Sequence, residues 1–299
     1  MHHYAVSTSQ TFHNFGDGRW DVLIPAQAQS YEFLMHALLG VSALHISHLK
    51  GRDGKDSSTM QYLLRAHTHH TKALILFRST ITDITPTNGT ATAFFSHLLL
   101  IFSCGTLQPP KPGQGEDHAQ DPIYSVVTII RYFRSYWKLF ADADNWAAAA
   151  GTSPYGSSPP STNTRFPSTI NALNDLLQFN AMYPHSDTHK AIYHDTIIQL
   201  RLSLNCGSAL PRNLWPLSIS DEYISLLERK EPMALVIVAY GTNLTVEQMR
   251  WFVDEWVAHI TRGIAGLVGE EWRECMRWPL LQCGWRDDGG GRDVLLVPS

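Results

Sequence analysis

Histidines are the chain's most conspicuous chemical resource: 15 of 299 residues, three of them close together at His67, His69 and His70. His67 and His70 stand one turn apart if the segment is helical, a spacing from which two imidazoles can hold a metal ion. No carboxylate joins them three or four residues away; the next is Asp83. They read as a polar helix face, and no metal or cofactor is expected. His36, His45 and His97 fall within or beside apolar stripes, where a lone histidine is usually a hydrogen-bonded core group and less often an acid–base catalyst. Asp142-Ala143-Asp144 lacks the further carboxylate at helical spacing that Mg²⁺ held through a diphosphate would need. Cys104 ends an apolar stretch without a basic partner, which suits an inert thiol.

The sequence contains no G-x-S-x-G, H-E-x-x-H, Walker or G-x-G-x-x-G motif. Its four cysteines, Cys104, Cys206, Cys275 and Cys283, are widely spaced, against a disulfide scaffold or zinc site. With 23 basic against 27 acidic residues and a pI near 6.4, nothing provides the electrostatic footprint of a nucleic-acid surface. Direct nucleic-acid binding is therefore not expected. Asn88-Gly89-Thr90 and Asn243-Leu244-Thr245 match glycosylation sequons, but Met1 to Tyr4 do not open a secretion signal. No apolar run reaches the ~20 residues of a membrane span. These features suit the cytoplasm, the nucleus or both.

What remains is an excess of apolar and aromatic side chains at helical spacing. Phe33-Leu34, Ala37-Leu38, Val41 and Leu44 repeat at three and four residues from Ser30, and Gly51 to Lys55 ends that helix. A second runs from a cap at Ser57 or Ser58 to about Ile84, before Pro86. Thr90 to Ser103 is apolar almost all round and so should be central. Asp121-Pro122 reads as an N-cap followed by proline at the first helical position, opening a helix to about Ala148. Further helices are expected near Ser168–Met182, Asp187–Asn205 and Ser220–Arg229, then a short apolar one from Met233 to about Gly241. Thr245 opens a last long helix, with Glu247 to Gly266 carrying its apolar face.

No stretch alternates with strand periodicity, so the fold class is all-α: a single multi-helix bundle with a hydrophobic central cavity. Two Pro/Gly/Ser-rich insertions, Leu107–Gln120 and Gly151–Pro167, interrupt it. One helical domain over 1–285 and a disordered tail at 286–299, its glycine-broken DDGGGRDVLLVPS stretch starting at Asp287, complete the division.

Several segments together resemble a known family. Met1-His2-His3-Tyr4, Trp20, Pro25, Phe33 to Leu39 and Ser42 to His45 come first. Ala73-Leu74, Phe77-Arg78, Ile84-Thr85, Asn88 and the helix around Phe94 to Phe102 follow, then Pro232 to Tyr240, Trp251, Trp256 and Trp272…Trp278-Pro279. In this order they resemble the C-terminal regulatory domain of fungal zinc binuclear cluster transcription factors, in the sterol uptake control protein subgroup. The resemblance implies a helical sensor that binds a lipophilic, sterol-like molecule and so controls transcription, here without the six-cysteine DNA-binding cluster. It implies a ligand lining on the short apolar helix and the last long one, at Met233, Val236, Ile237, Tyr240, Met249, Phe252 and Trp256, and Met35, Leu38, Leu39, Phe94, Phe95 and Leu98 on the earlier apolar helices complete the expected cavity wall. A competing expectation is a stand-alone cyclase or isomerase of specialised metabolism, using the same apolar cavity on a terpenoid or polyketide. His36, His45, His97 or Tyr240 would then donate a proton. A third is an interaction module that forms a homodimer through exposed apolar helix faces.

Overall fold

A computed structural model describes residues 1–15, 20–52, 58–106, 121–152, 167–205 and 215–284. The described residues are helical with no strand, as the periodicity requires. Both expected insertions lie almost wholly outside the described residues, and the expected tail lies entirely outside them.

After short π- and 3₁₀-turns at Tyr4–Thr8 and Ser9–Phe15, helix α1 spans Leu23–Ser30 and α2 Glu32–Arg52. Helix α3, Thr59–Thr80, lies back along α2 as an antiparallel partner. Their close approach depends on Gly40, where a Cβ would stand 3.3 Å from the Ala66 carbonyl oxygen. Helix α4, Gly89–Thr106, occupies the centre, packed against α1, α2 and α5 (Pro122–Ala149). By length and composition alone α4 could cross a bilayer, yet 89% of it is buried within the protein. An all-round apolar helix with neighbours on every side is a core helix.

The helix starts follow their capping chemistry. Asp121 Oδ1 accepts from the Ile123 amide at 3.0 Å with Pro122 in the first turn, and Ser220 Oγ accepts from the Tyr223 amide at 3.1 Å. Asn88 braces the preceding loop instead: its Oδ1 accepts from the Thr85 amide and its Nδ2 donates to the Asp83 carbonyl.

The second half comprises α6 (Pro167–Met182), α7 (Asp187–Asn205), the single turn α8 (Trp215–Ser218) and α9 (Asp221–Glu228). It continues with α10 (Pro232–Met249), α11 (Asp254–Val268) and α12 (Arg273–Gln282). Here one boundary differs from expectation. Polar residues from Thr242 onward suggest a break near Gly241, but α10 runs through to Met249 and the chain turns at Arg250–Phe252. Thr242 and Asn243 spend their side chains on internal bonds, so these two do not interrupt the helix. Thr242 Oγ1 donates to the Val238 carbonyl, while Asn243 Nδ2 donates to the Ala239 carbonyl and to Thr261 Oγ1. Gly241 itself serves packing: a Cβ there would fall 2.2 Å from Trp215 Cζ2. Helix α12 has no counterpart among the sequence expectations, and it carries Pro279 in its interior.

One apolar cluster extends from Tyr4 to Met276 and takes in side chains of all twelve helices. Buried tyrosines tie it together through backbone acceptors: Tyr4 to Trp20, and Tyr223 to Ala234. Arg134 on α5 anchors the α8–α9 segment, donating to the carbonyls of Pro216 and Ile219 and to Asp221.

Candidate functional site

The thirteen residues expected to line a ligand cavity divide between two regions. Phe94, Phe95 and Leu98 on α4 and Leu38 on α2 are fully buried, with Met35 and Leu39 half-buried beside them. The aromatic rings of this region meet one another closely. Phe95 stacks on Phe77 at 4.4 Å and meets the edge of Phe33 at 5.1 Å, while Phe94 meets Trp20 at 5.5 Å. On the other side, Met233, Val236 and Ile237 are buried within α10. Phe252 and Trp256 are buried at the turn into α11, Phe252 against Trp251. The Met249 side chain lies outside the described residues.

Tyr240 is the exception. It forms part of a groove of about 480 Å³ between α6 and α12, two helices that pack chiefly on α7 and on α10 and α11 respectively. Helix α6 contributes Ala172, Leu176 and Phe179, and α12 contributes Cys275, Trp278 and Leu281. The Tyr240 and Trp278 rings stack at 5.0 Å and 18°, a near-parallel aromatic pair. The Tyr240 hydroxyl donates to the Cys275 carbonyl at 3.0 Å, and burial holds its pKa above the usual phenol value. Burial, followed by the adjacent Glu274 carboxylate, pushes the Cys275 thiol up to about 11, so it stays protonated at neutral pH. The mouth is polar, with Asp175 and Gln178 on α6 and Glu274 and Arg277 on α12. An apolar body of drug-like size fits such a volume. Most of these groove residues were not in the expected lining. Their helices carry mixed apolar and charged faces, and such faces read from sequence as ordinary surface.

The histidines occupy other places. His36 Nδ1 and His69 Nδ1 face one another at 2.7 Å, joining α2 to α3, with Glu32 Oε1 at 3.6 Å from His36 Nε2 and paired to Lys72. Burial lowers both pKa values. His70 is less exposed than a polar face implies: it stacks on Phe102 at 3.9 Å, and burial lowers it to about 4. His67 meets the edge of the same ring. His45 hydrogen-bonds Thr8 Oγ1 at 3.0 Å and packs on Trp251; burial, then His3 and His48, lowers it to about 4. His97, fully enclosed between Trp20 and Phe140, is lowered by burial to about 4. The four proton-donor candidates thus sit in four different neighbourhoods, and Tyr240 alone reaches the groove. Among the described residues, no group of three or more His, Cys, Asp or Glu could hold a metal ion. Asn243 is buried, and Asn88 has both amide atoms engaged, so neither sequon presents a free side chain.

Residues 1–107 match the family model of the fungal specific transcription factor domain, which covers about a third of the chain. The matched stretch runs from the N-terminal turns through α4 to residue 107 and contains the aromatic pairs around Phe94 and Phe95. No curated protein matches the chain in sequence.

Proposed function

We propose that the chain is a regulatory domain of the fungal transcription-factor type that responds to a lipophilic small molecule, and that the molecule sits in the α6–α12 groove. The family match over residues 1–107 supports the regulatory role. The ligand reading is carried by the groove itself, a volume of about 480 Å³ with Tyr240 and Trp278 stacked in its lining. Sterol-like chemistry comes only from the resemblance, as do the separate DNA-binding part and a site of action in the cytoplasm or nucleus.

A groove ligand would act through α10. Tyr240 touches the ligand site, and one turn later Asn243 reaches Thr261 on α11 and accepts from Cys283 Sγ at 3.2 Å just beyond α12. Binding that favours one arrangement of α10 against α12 shifts an existing balance between arrangements, which is how a sensor transmits occupancy.

The test is thermal unfolding of the full chain with cholesterol and with dodecanol as probes. A ligand at a hundredfold excess over Kd stabilises by about 2.7 kcal/mol, a readily measured rise in Tm. The double variant Met182→Glu, Leu281→Glu places charge at two exposed groove positions and should abolish the rise. A rise that survives in this variant would move the ligand elsewhere, and no rise with either probe would remove the reading's support.

A further inference from the structure

Helix α3 packs chiefly on α2, with Ala66 and Ala73 buried on that side, and its opposite side is exposed. Three large aliphatic side chains stand there: Met60 is 70% exposed, Leu64 67% and Ile75 62%. At about 100° and about 1.5 Å per residue, they fall within about 60° of one another and span about 22 Å of the helix. Thr68 and Thr71, also exposed, fill the stripe between Leu64 and Ile75. Steps of four, three and four residues join these positions, which is the heptad seam by which one helix receives another. Scattered apolar residues on a surface are ordinary, whereas an aligned stripe bordered by charge marks an interaction face.

Charge decides what covers it. Arg65 and Lys72, seven residues apart, border the stripe on one edge, and Arg78 closes its far end; all three are exposed. The 22 residues of α3 include no aspartate or glutamate. Lys72 meets Glu32 of α2 at 3.1 Å, and Arg65 lies over the Tyr62 ring, 5.4 Å from its centroid. Among the described residues Arg65 and Arg78 close no ion pair, so the edge is positive on a chain of net charge −4. A second copy would match the stripe but not the charge. Antiparallel α3 helices would set Arg65 and Lys72 against their own counterparts, and parallel ones would offer them Met60 and His67. We propose that the outer face of α3 docks an amphipathic helix of a partner protein, whose apolar seam lies on Met60, Leu64 and Ile75 and whose flanking carboxylates meet Arg65 and Lys72. Exposed ion pairs contribute little affinity, so the apolar seam holds the partner and the charges select it. No residue of α3 lines the α6–α12 groove, so the two sites stand or fall separately.

The test is fluorescence anisotropy of a labelled synthetic peptide titrated with the full chain. The peptide has three heptads, with leucine at the first and fourth positions and glutamate at the fifth and seventh, a pattern that opposes pairing with itself. A counterpart carries lysine in place of each glutamate. The glutamate peptide should bind at least tenfold more tightly than the lysine one. Leu64→Ser with Ile75→Ser should weaken it at least tenfold, and Arg65→Gln should lower both its affinity and its dependence on salt. These side chains are exposed, so the variants should keep the fold, as circular dichroism would verify. Equal binding of the two peptides would overturn the acidic partner, and binding unchanged in the double serine variant would overturn the face. Absence of binding by the glutamate peptide would overturn both. Sedimentation of the full chain as a dimer that the double variant abolishes would give the stripe to a second copy instead. Binding to vesicles of phosphatidylcholine and phosphatidylserine, lost in the same variant, would give it to a membrane surface.

Discussion

The aromatic centre around α4 and the groove beside α12 are built from similar residue types and end in opposite states. Around α4, Phe95 is enclosed by Phe33 and Phe77, and Trp20 covers both Phe94 and His97. Beside α12, Tyr240 and Trp278 stack on each other, yet α6 stands off and a space of about 480 Å³ remains. An abundance of large apolar side chains does not mark a cavity, because a core closes as tightly as the helices carrying it can approach. Small residues at the contacts set that approach. Gly40 and Ala66 let α2 and α3 come together, whereas α6 presents Leu176 and Phe179 toward α12.

The largest effect that would sharpen this contrast is truncation on each side. Phe95→Ala removes a fully buried ring from a region with aromatic neighbours on two sides and should cost about 3–5 kcal/mol. Leu281→Ala in the groove, at a residue 45% exposed, should cost under about 0.5 kcal/mol. Urea unfolding of both variants measures the difference. Similar losses at the two positions would mean that the groove is as closed as the centre.

This contrast shows where the sequence was readable. The all-α class, the central place of α4, and the Asp121-Pro122 helix start all follow from local patterns that tertiary structure did not override. The α10 boundary did not follow, because Thr242 and Asn243 look like a helix end but hydrogen-bond back to the preceding turn and across to Thr261. The expected lining was weighted toward the most apolar stretches, and these became core. Tyr240 is where expectation and groove coincide. The groove's other walls could not be read, since Asp175, Glu274 and Arg277 signal solvent on a helical wheel, and only the tertiary placing of α6 beside α12 brings them to one groove. The Arg134 anchor to Pro216, Ile219 and Asp221 was hidden for a related reason: its partners are 82 to 87 residues away.

A smaller effect separates the regions by pH. His45 and His97 are 4% and 7% exposed, and burial lowers each from 6.5 to about 4. A lowered base binds its proton more readily in the unfolded chain. Stability is therefore full above about pH 6.5 and falls as pH drops toward 4, by up to about 3 kcal/mol for each histidine. Unfolding measured at pH 7 and at pH 4.5 should show the loss, and His97→Gln should remove the His97 share of it while the His45 share stays. A pH dependence unchanged in that variant would mean that His97 is not held neutral by its Trp20 and Phe140 surroundings.

The finest test concerns Asn243, which joins the two states because it stands one turn beyond the groove's Tyr240 and is itself buried. Its amide donates to Thr261 and its oxygen accepts from Cys283, so it ties α10 to α11 and to the end of α12. Asn243→Ala leaves the Thr261 hydroxyl and the Cys283 thiol without this partner, at an expected cost of about 1–3 kcal/mol. If α10 transmits groove occupancy, the variant should still bind a groove ligand, while hydrogen exchange at α11 should no longer respond to that ligand. Loss of both binding and response would make Asn243 a support of the groove alone. Retained binding with an unaltered α11 response would show that the signal leaves α10 by another route, through the wider packing of α11 against it.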